Sequence, residues 1–290
     1  GYGARVVLCG DCYDDAYARA MEICEEEGAT FLHPFNDYEV MAGQGTIGLE
    51  ILSQLPTVDT VIVPVGGGGL LAGVATCIKQ ANPRVRVVGV QAEGADAVVR
   101  SYREGHLTES ENVSTIADGI AVKCPGDKTV ELIMKYADDM VTVSDNDISA
   151  AILMLMERTK QIVEPFGAAS LAAVLSGHID VKDRKAVCLL SGGNIDVSVI
   201  HRVVELGLVS RHRRLKFFVR LNDAPGSLMK LLQVVADSNA NILTINHDRM
   251  CLSLTPSEIL VHIGCEVGGQ HHADTLIENL TAAGYSPTLE

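Results

Sequence analysis

The chain has 290 residues, 47 % of them hydrophobic, enough for the cores of one large domain and one small one. No apolar run reaches the ~18 to 20 residues of a membrane span, and a formal net charge of −14 argues against nucleic acid, whose phosphates need clustered Lys and Arg. Eight scattered Cys suit a reducing compartment and Gly1-Tyr2-Gly3-Ala4-Arg5 does not read as a signal peptide, so a cytoplasmic location is expected.

Strand-like and helical runs alternate from the start. Arg5 to Cys9 reads as a strand, Asp14 to Glu27 as a helix with Tyr17, Met21 and Cys24 at helical spacing, and Ala29 to Leu32 as a strand. Between the first two lies Cys9-Gly10-Asp11-Cys12, the position of a redox dithiol; with no second pair to complete a zinc site it reads as two loop thiols. Gly45 to Leu55 is helical and ends at Pro56. Thr60 to Val65 is β-branched except at Pro64, the pattern of a strand buried on both faces. Helix Leu70 to Gln80, strand Val85 to Val90, helix Asp127 to Tyr136, strand Met140 to Val143 and helix Ser149 to Gln161 follow. Helix Ala168 to Leu175, strand Lys185 to Leu190 and helix Ile195 to Leu206 complete the series. Repeated β-α units of this length predict an α/β fold, an open parallel sheet with helices on both faces.

The pattern changes after Leu208. Ser210 to Lys216 is polar and basic, as a linker is. Strand Phe217 to Leu221, turn Asn222 to Gly226, helix Ser227 to Ser238, strand Asn241 to His247, strand Glu258 to Cys265, helix Ala273 to Ala283 and a short strand near Ser286 form a β-α-β-β-α-β unit, the ferredoxin-like order. Two domains are expected, residues 1–209 and residues 215–290.

The strongest chemical signal is Gly66-Gly67-Gly68-Gly69 between Val61-Ile62-Val63-Pro64-Val65 and Leu70-Leu71-Ala72-Gly73. Four glycines let the backbone turn sharply and approach a ligand closely. The N–H groups at the start of the next helix then favour a phosphate, at the carboxyl end of a parallel strand where α/β ligands sit. A plain turn is the bland reading, and buried-looking sequence on both sides disfavours a flexible linker. The run lacks the Gly-Lys-Ser/Thr ending of a nucleotide triphosphate loop and the G-x-G-x-x-G spacing of a dinucleotide loop.

Further runs stand in order around it: Ala42-Gly43-Gln44-Gly45-Thr46, Thr115-Ile116-Ala117-Asp118-Gly119, Val163-Glu164-Pro165 and Leu190-Ser191-Gly192-Gly193-Asn194. Together with Pro64 to Leu70 they resemble the threonine dehydratase family, within the tryptophan-synthase-like fold of pyridoxal-phosphate enzymes. The tail resembles an ACT domain through Leu221-Asn222-Asp223-Ala224-Pro225-Gly226-Ser227-Leu228. This resemblance implies pyridoxal phosphate as cofactor, with its phosphate on Gly66, Gly67, Gly68, Gly69 and Leu70. It also implies Ser191 at the pyridine nitrogen, Gly119 against the ring, Asn194 beside it and Glu164 close by. On local grounds alone, Ser191 is equally a turn residue and Glu164 a surface carboxylate at a helix start. Some relatives hold a cation with a glutamate, a backbone carbonyl and an aspartate; the matching positions are Gln91, Ala95 and Ala97, so no metal is expected, with Glu93 and Asp96 the only carboxylates nearby.

The implied reaction is β-elimination from L-threonine: the α-proton and hydroxyl leave, and the enamine hydrolyses to 2-oxobutanoate and ammonia, as in isoleucine biosynthesis. Serine gives pyruvate. The ACT resemblance implies an amino-acid effector near Asp223 and Gly226, and a homodimer or homotetramer. The family's Schiff-base lysine belongs to a segment upstream of Gly1, and Lys79, Lys123, Lys128, Lys135, Lys160, Lys182 and Lys185 lie outside its motif. The chain is therefore expected to be an inactive, N-terminally truncated piece of the enzyme. The alternatives are a serine racemase or serine dehydratase, or a non-catalytic amino-acid-binding regulatory protein.

Overall fold

The structure, a computed structural model, describes residues 3–10, 13–110, 113–117, 122–250 and 255–290. It separates into two compact units: Gly1–Ala151 with Gln161–Ile195, and Ile152–Lys160 with Asp196–Glu290.

The first unit opens with helices α1 (Tyr13–Glu27) and α2 (Tyr38–Gln54). Helix α2 starts a full two turns before the expected Gly45. Asp37 caps it, its carboxylate accepting from the N–H groups of Glu39 (2.8 Å) and Val40 (3.2 Å). Next come β1 (Thr60–Pro64), α3 (Gly69–Ala81), β2 (Arg86–Ala92) and α4 (Ala97–Glu104), a helix the sequence pattern does not reveal. Then follow α5 (Asp127–Tyr136), β3 (Asp139–Val143), α6 (Asp145–Arg158), α7 (Pro165–Leu175) and β4 (Ala186–Cys188).

The strands form one parallel sheet in the order β3-β2-β1-β4, with Val61 beside Val87 and Val187. β1 is buried along its whole length, which explains its β-branched run. Val61, Val63, Leu71, Val74, Ile78 and Val87 are fully buried in the core it shares with α3. Two expected strands are absent. Arg5 to Cys9 and Ala29 to Leu32 form neither strand nor helix, and Val6 and Leu8 are 78 % and 92 % exposed. An apolar run becomes a strand only when a neighbour takes its backbone N–H and C=O groups, and none does so among the described residues.

In the second unit, α8 (Val197–Ser210) leads into β5 (Arg214–Asn222), α9 (Ser227–Asp237), β6 (Asn241–Asp248), β7 (Glu258–Glu266), α10 (Gln270–Ala282) and β8 (Thr288–Leu289). Helix α8, which the sequence pattern places with the parallel sheet, groups here with the antiparallel one. The strand order is β6-β7-β5-β8, all neighbours antiparallel, as a β-α-β-β-α-β chain requires. Period two in β5 sends Phe217, Val219 and Leu221 into a core with Leu231 and Val235 of α9 and Leu276 and Leu280 of α10.

Candidate functional site

Strands β1 and β4 lie side by side, and both end on the same edge of the sheet. The glycine turn leaves β1 there. Val65 N–H still donates to Val90 O (2.8 Å), after which the chain departs from the ladder. Gly68 adopts φ +98°, a left-handed conformation that favours glycine, and caps α3 without a side chain. Among the described residues, the N–H groups of Gly66 to Leu70 have no hydrogen-bond partner. They stand at the N-terminus of α3, where the helix dipole adds to their pull on an anion.

Phe35 lies against the turn so closely that a side-chain carbon on Gly67 would fall 2.5 Å from its ring. The segment around Phe35 is held from both sides. His33 Nδ1 accepts from the N–H groups of Phe35 (3.2 Å) and Asn36 (2.9 Å). Asn36 Nδ2 donates to Asp127 Oδ1 (2.7 Å), and Asn36 Oδ1 accepts from Lys128 N–H (3.1 Å). Burial holds the His33 ring below its ordinary value, opposed by a smaller upward pull from Asp37 and helped by a still smaller push from Lys128. The neutral ring is the form that accepts those two bonds. The unfolded chain therefore takes up this proton first: the His33 contribution to stability is complete above the unfolded value of about 6.5 and is lost as the pH falls through the lower folded value. Urea unfolding of wild type and His33→Asn should thus give parallel stability curves above pH 7 that converge below pH 6; curves parallel throughout would contradict the assignment.

On β4 the backbone continues past Leu189, whose N–H bonds Ile62 O (2.9 Å) and whose C=O accepts from Ser170 Oγ (2.7 Å). Ser191 follows. Its Oγ is buried and has no protein partner. Its carbonyl oxygen presses on α7, where a side-chain carbon at Gly167 would stand only 1.8 Å away. Glu164, half-buried, precedes Pro165, the first residue of α7, and its carboxylate reaches the 191–194 loop. Oε2 accepts from Asn194 N–H (2.9 Å), and Oε1 fills the place a side chain on Gly192 (φ +80°) would need.

The glycine turn, Ser191, Gly192, Glu164 and Phe35 line one cleft of about 470 Å³. A groove of about 560 Å³ between α2 and α3 is larger, but its lining holds no charged side chain and it does not include the glycine turn. The cleft brings together Gly66, Gly67, Gly68, Gly69, Leu70, Ser191 and Glu164. Asn194 joins them only through its backbone bond to Glu164. Gly119 and Asp118, like Cys12 of the dithiol, lie outside the described residues. Gln91 is buried and hydrogen-bonded to Gly66, and Asp96 pairs with Arg100 (3.2 Å). Phe35 and Thr129, which touch the turn, escape a sequence reading because each is distant in the chain and neither belongs to a motif; Gln91, which also touches it, stands out in the sequence only as the counterpart of a cation ligand.

In the second unit, Asp223 and Gly226 flank the turn between β5 and α9. Asp223 is held in a two-pronged ion pair by Arg249 (2.9 Å to each oxygen), which lowers its carboxyl below the usual range; Arg249 belongs to no motif that would have pointed to it. Gly226 takes φ +88° as the cap of α9.

A cofactor with an anionic group and a hydrogen-bonding ring fits this cleft: it is lined by the glycine turn, whose N–H groups have no partner among the described residues, and by Ser191, whose buried hydroxyl has none either. The family model described as pyridoxal-phosphate dependent enzyme matches residues 1–192. The L-threonine ammonia-lyase of Thermotoga maritima is 45 % identical over 283 residues, covering 98 % of this chain and 70 % of that protein. The structure of processed threonine deaminase isoform 2 from Solanum lycopersicum is similar with a TM-score of 0.65 and 40 % identity, over 69 % of this chain and 59 % of that one. Maize serine racemase is similar with a TM-score of 0.65 and 34 % identity, over 73 % and 65 % of the two chains. The chain spans part of the length of each.

Proposed function

The chain belongs to the pyridoxal-phosphate dependent enzyme family, and from that premise we propose that it serves the deamination of L-threonine to 2-oxobutanoate and ammonia, with L-serine as a second substrate giving pyruvate. When bound, the cofactor supplies an electron sink for the bond-breaking at the substrate α-carbon. The residues of this chain hold it. The N–H groups of Gly66, Gly67, Gly68, Gly69 and Leu70 would take the phosphate.

The observation that carries the reading is Ser191: a buried Oγ with no protein partner, on a residue that lines the same cleft as the glycine turn. A hydroxyl at the pyridine nitrogen does not hold a proton there as a carboxylate would. The sink is then weaker, which favours loss of the β-hydroxyl over transamination. Glu164 positions Ser191 by bracing the loop through the N–H of Asn194.

Residues 215–290 act in this reading as an ACT-like regulatory domain in a cytoplasmic homo-oligomer. An amino-acid effector binds at the turn carrying Asp223 and Gly226. The high identity to a threonine ammonia-lyase favours threonine over the racemase reading.

No lysine lines the cleft among the described residues. The test therefore measures 2-oxo acid release, with pyridoxal phosphate supplied, by the chain alone and by the chain preceded by the lysine-bearing segment of a threonine ammonia-lyase. Threonine-dependent release of 2-oxobutanoate by the second protein is the expected result. D-serine formation, or turnover of serine without threonine, would replace this reading with the racemase or serine-dehydratase one.

A further inference from the structure

A turn whose N–H groups converge on an anion must send its carbonyl groups the other way, into the protein, where each needs a donor. Two carbonyls of the glycine turn find theirs on side chains from outside it. Gln91 Nε2 donates to Gly66 O (3.3 Å), and Thr129 Oγ1 donates to Gly67 O (2.7 Å). Gln91 is on β2 and 0 % exposed, and Thr129 is on the first turn of α5, also 0 % exposed.

Neither side chain is free to swing. Gln91 Oε1 accepts from the N–H groups of Val98 (3.1 Å) and Val99 (3.0 Å), near the start of α4, where Asp96 offers no side-chain cap. The amide is thus pinned at its oxygen by a helix start and spends its nitrogen on the turn. Only an amide both donates and accepts in that place: glutamate would set an oxygen against Gly66 O, and leucine would leave three buried backbone groups unmet. The Thr129 hydroxyl shares its proton between Gly67 O and Gly126 O (2.9 Å), tying the turn to the start of α5.

We propose that Gln91 and Thr129 are positioning residues for the cofactor phosphate: by holding the Gly66 and Gly67 carbonyls they aim the N–H groups of Gly67 and Gly68, which share peptide planes with them, into the cleft. This rests on the phosphate reading of the turn and deepens it. Neither residue touches the cofactor, so the effect falls on recognition of the phosphate and spares the ring.

The test is calorimetric binding of pyridoxal phosphate and of pyridoxal, which lacks the phosphate, to the full chain and to Gln91→Glu and Thr129→Val. Each variant should bind pyridoxal phosphate about tenfold more weakly and pyridoxal within twofold of wild type, so that the preference for the phosphorylated form falls. If Gln91→Glu does not fold, Thr129→Val, a substitution of nearly equal shape, carries the same ratio. An unchanged preference in the folded variants, or equal losses for both ligands, overturns the proposal and leaves the phosphate reading standing. Wild-type amide resonances of Gly66 to Leu70 that ignore both inorganic phosphate and pyridoxal phosphate would overturn the phosphate reading itself, and this inference with it.

Discussion

Gly167→Ala is expected to lower the stability of the chain by about 3 kcal/mol, the upper end of the overpacking range. The sign is what makes the result informative. Gly167 lies inside α7, where alanine is ordinarily preferred to glycine by about 1 kcal/mol. Here the added carbon would stand 1.8 Å from Ser191 O and 2.7 Å from Val163 Cγ1. The first of these is backbone, so no side-chain rotation relieves it. Either α7 moves off the sheet or the 191–194 loop moves out of the cleft. The second response displaces Ser191 and uncouples Asn194 N–H from Glu164, so stabilisation by added pyridoxal phosphate should vanish together with the lost stability. Urea unfolding with and without the cofactor measures both. A variant as stable as wild type, or more stable, would mean that α7 and the Ser191 loop are not in contact as described.

The parts of the site that lie along one stretch of chain were legible in the sequence. The β-branched run Thr60 to Val65 and the four glycines after it require little beyond local geometry, and the structure places them as a fully buried strand and a turn into a helix. The pairing of Glu164 with the Ser191 loop was only half legible. Both positions stood in recognisable runs, but nothing local says that the carboxylate accepts from Asn194 N–H instead of facing water. The supports from other elements were not legible. Gln91 in β2 looks like one polar residue in an apolar strand; its meaning comes from Gly66 and Val98 arriving beside it. Helix α2 was foreshortened, its start read at Gly45, whereas Asp37 caps the helix well upstream. The errors at Arg5 to Cys9 and Ala29 to Leu32 have another origin. Apolar alternation reports which residues avoid water, whereas a strand is defined by a partner, and the partner is not a property of the segment.

Ser191→Ala should move stability and cofactor binding in opposite directions. Without cofactor, the buried Oγ has lost water and gained no protein partner. Removing it relieves a desolvation cost, so the variant should be more stable than wild type by about 1 kcal/mol. On the proposed reading the same hydroxyl meets the ring nitrogen of bound pyridoxal phosphate, so its loss should weaken binding about tenfold. The thermal midpoint should therefore rise in the free chain, while the further rise on adding pyridoxal phosphate shrinks. A purely structural serine would lower both quantities, because its partner would be left bare. A serine unrelated to the cofactor would raise the first and leave the second untouched. Only a hydroxyl kept unpaired for a ligand gives the crossed result, since its cost in the free chain is the same desolvation that the bound ring repays.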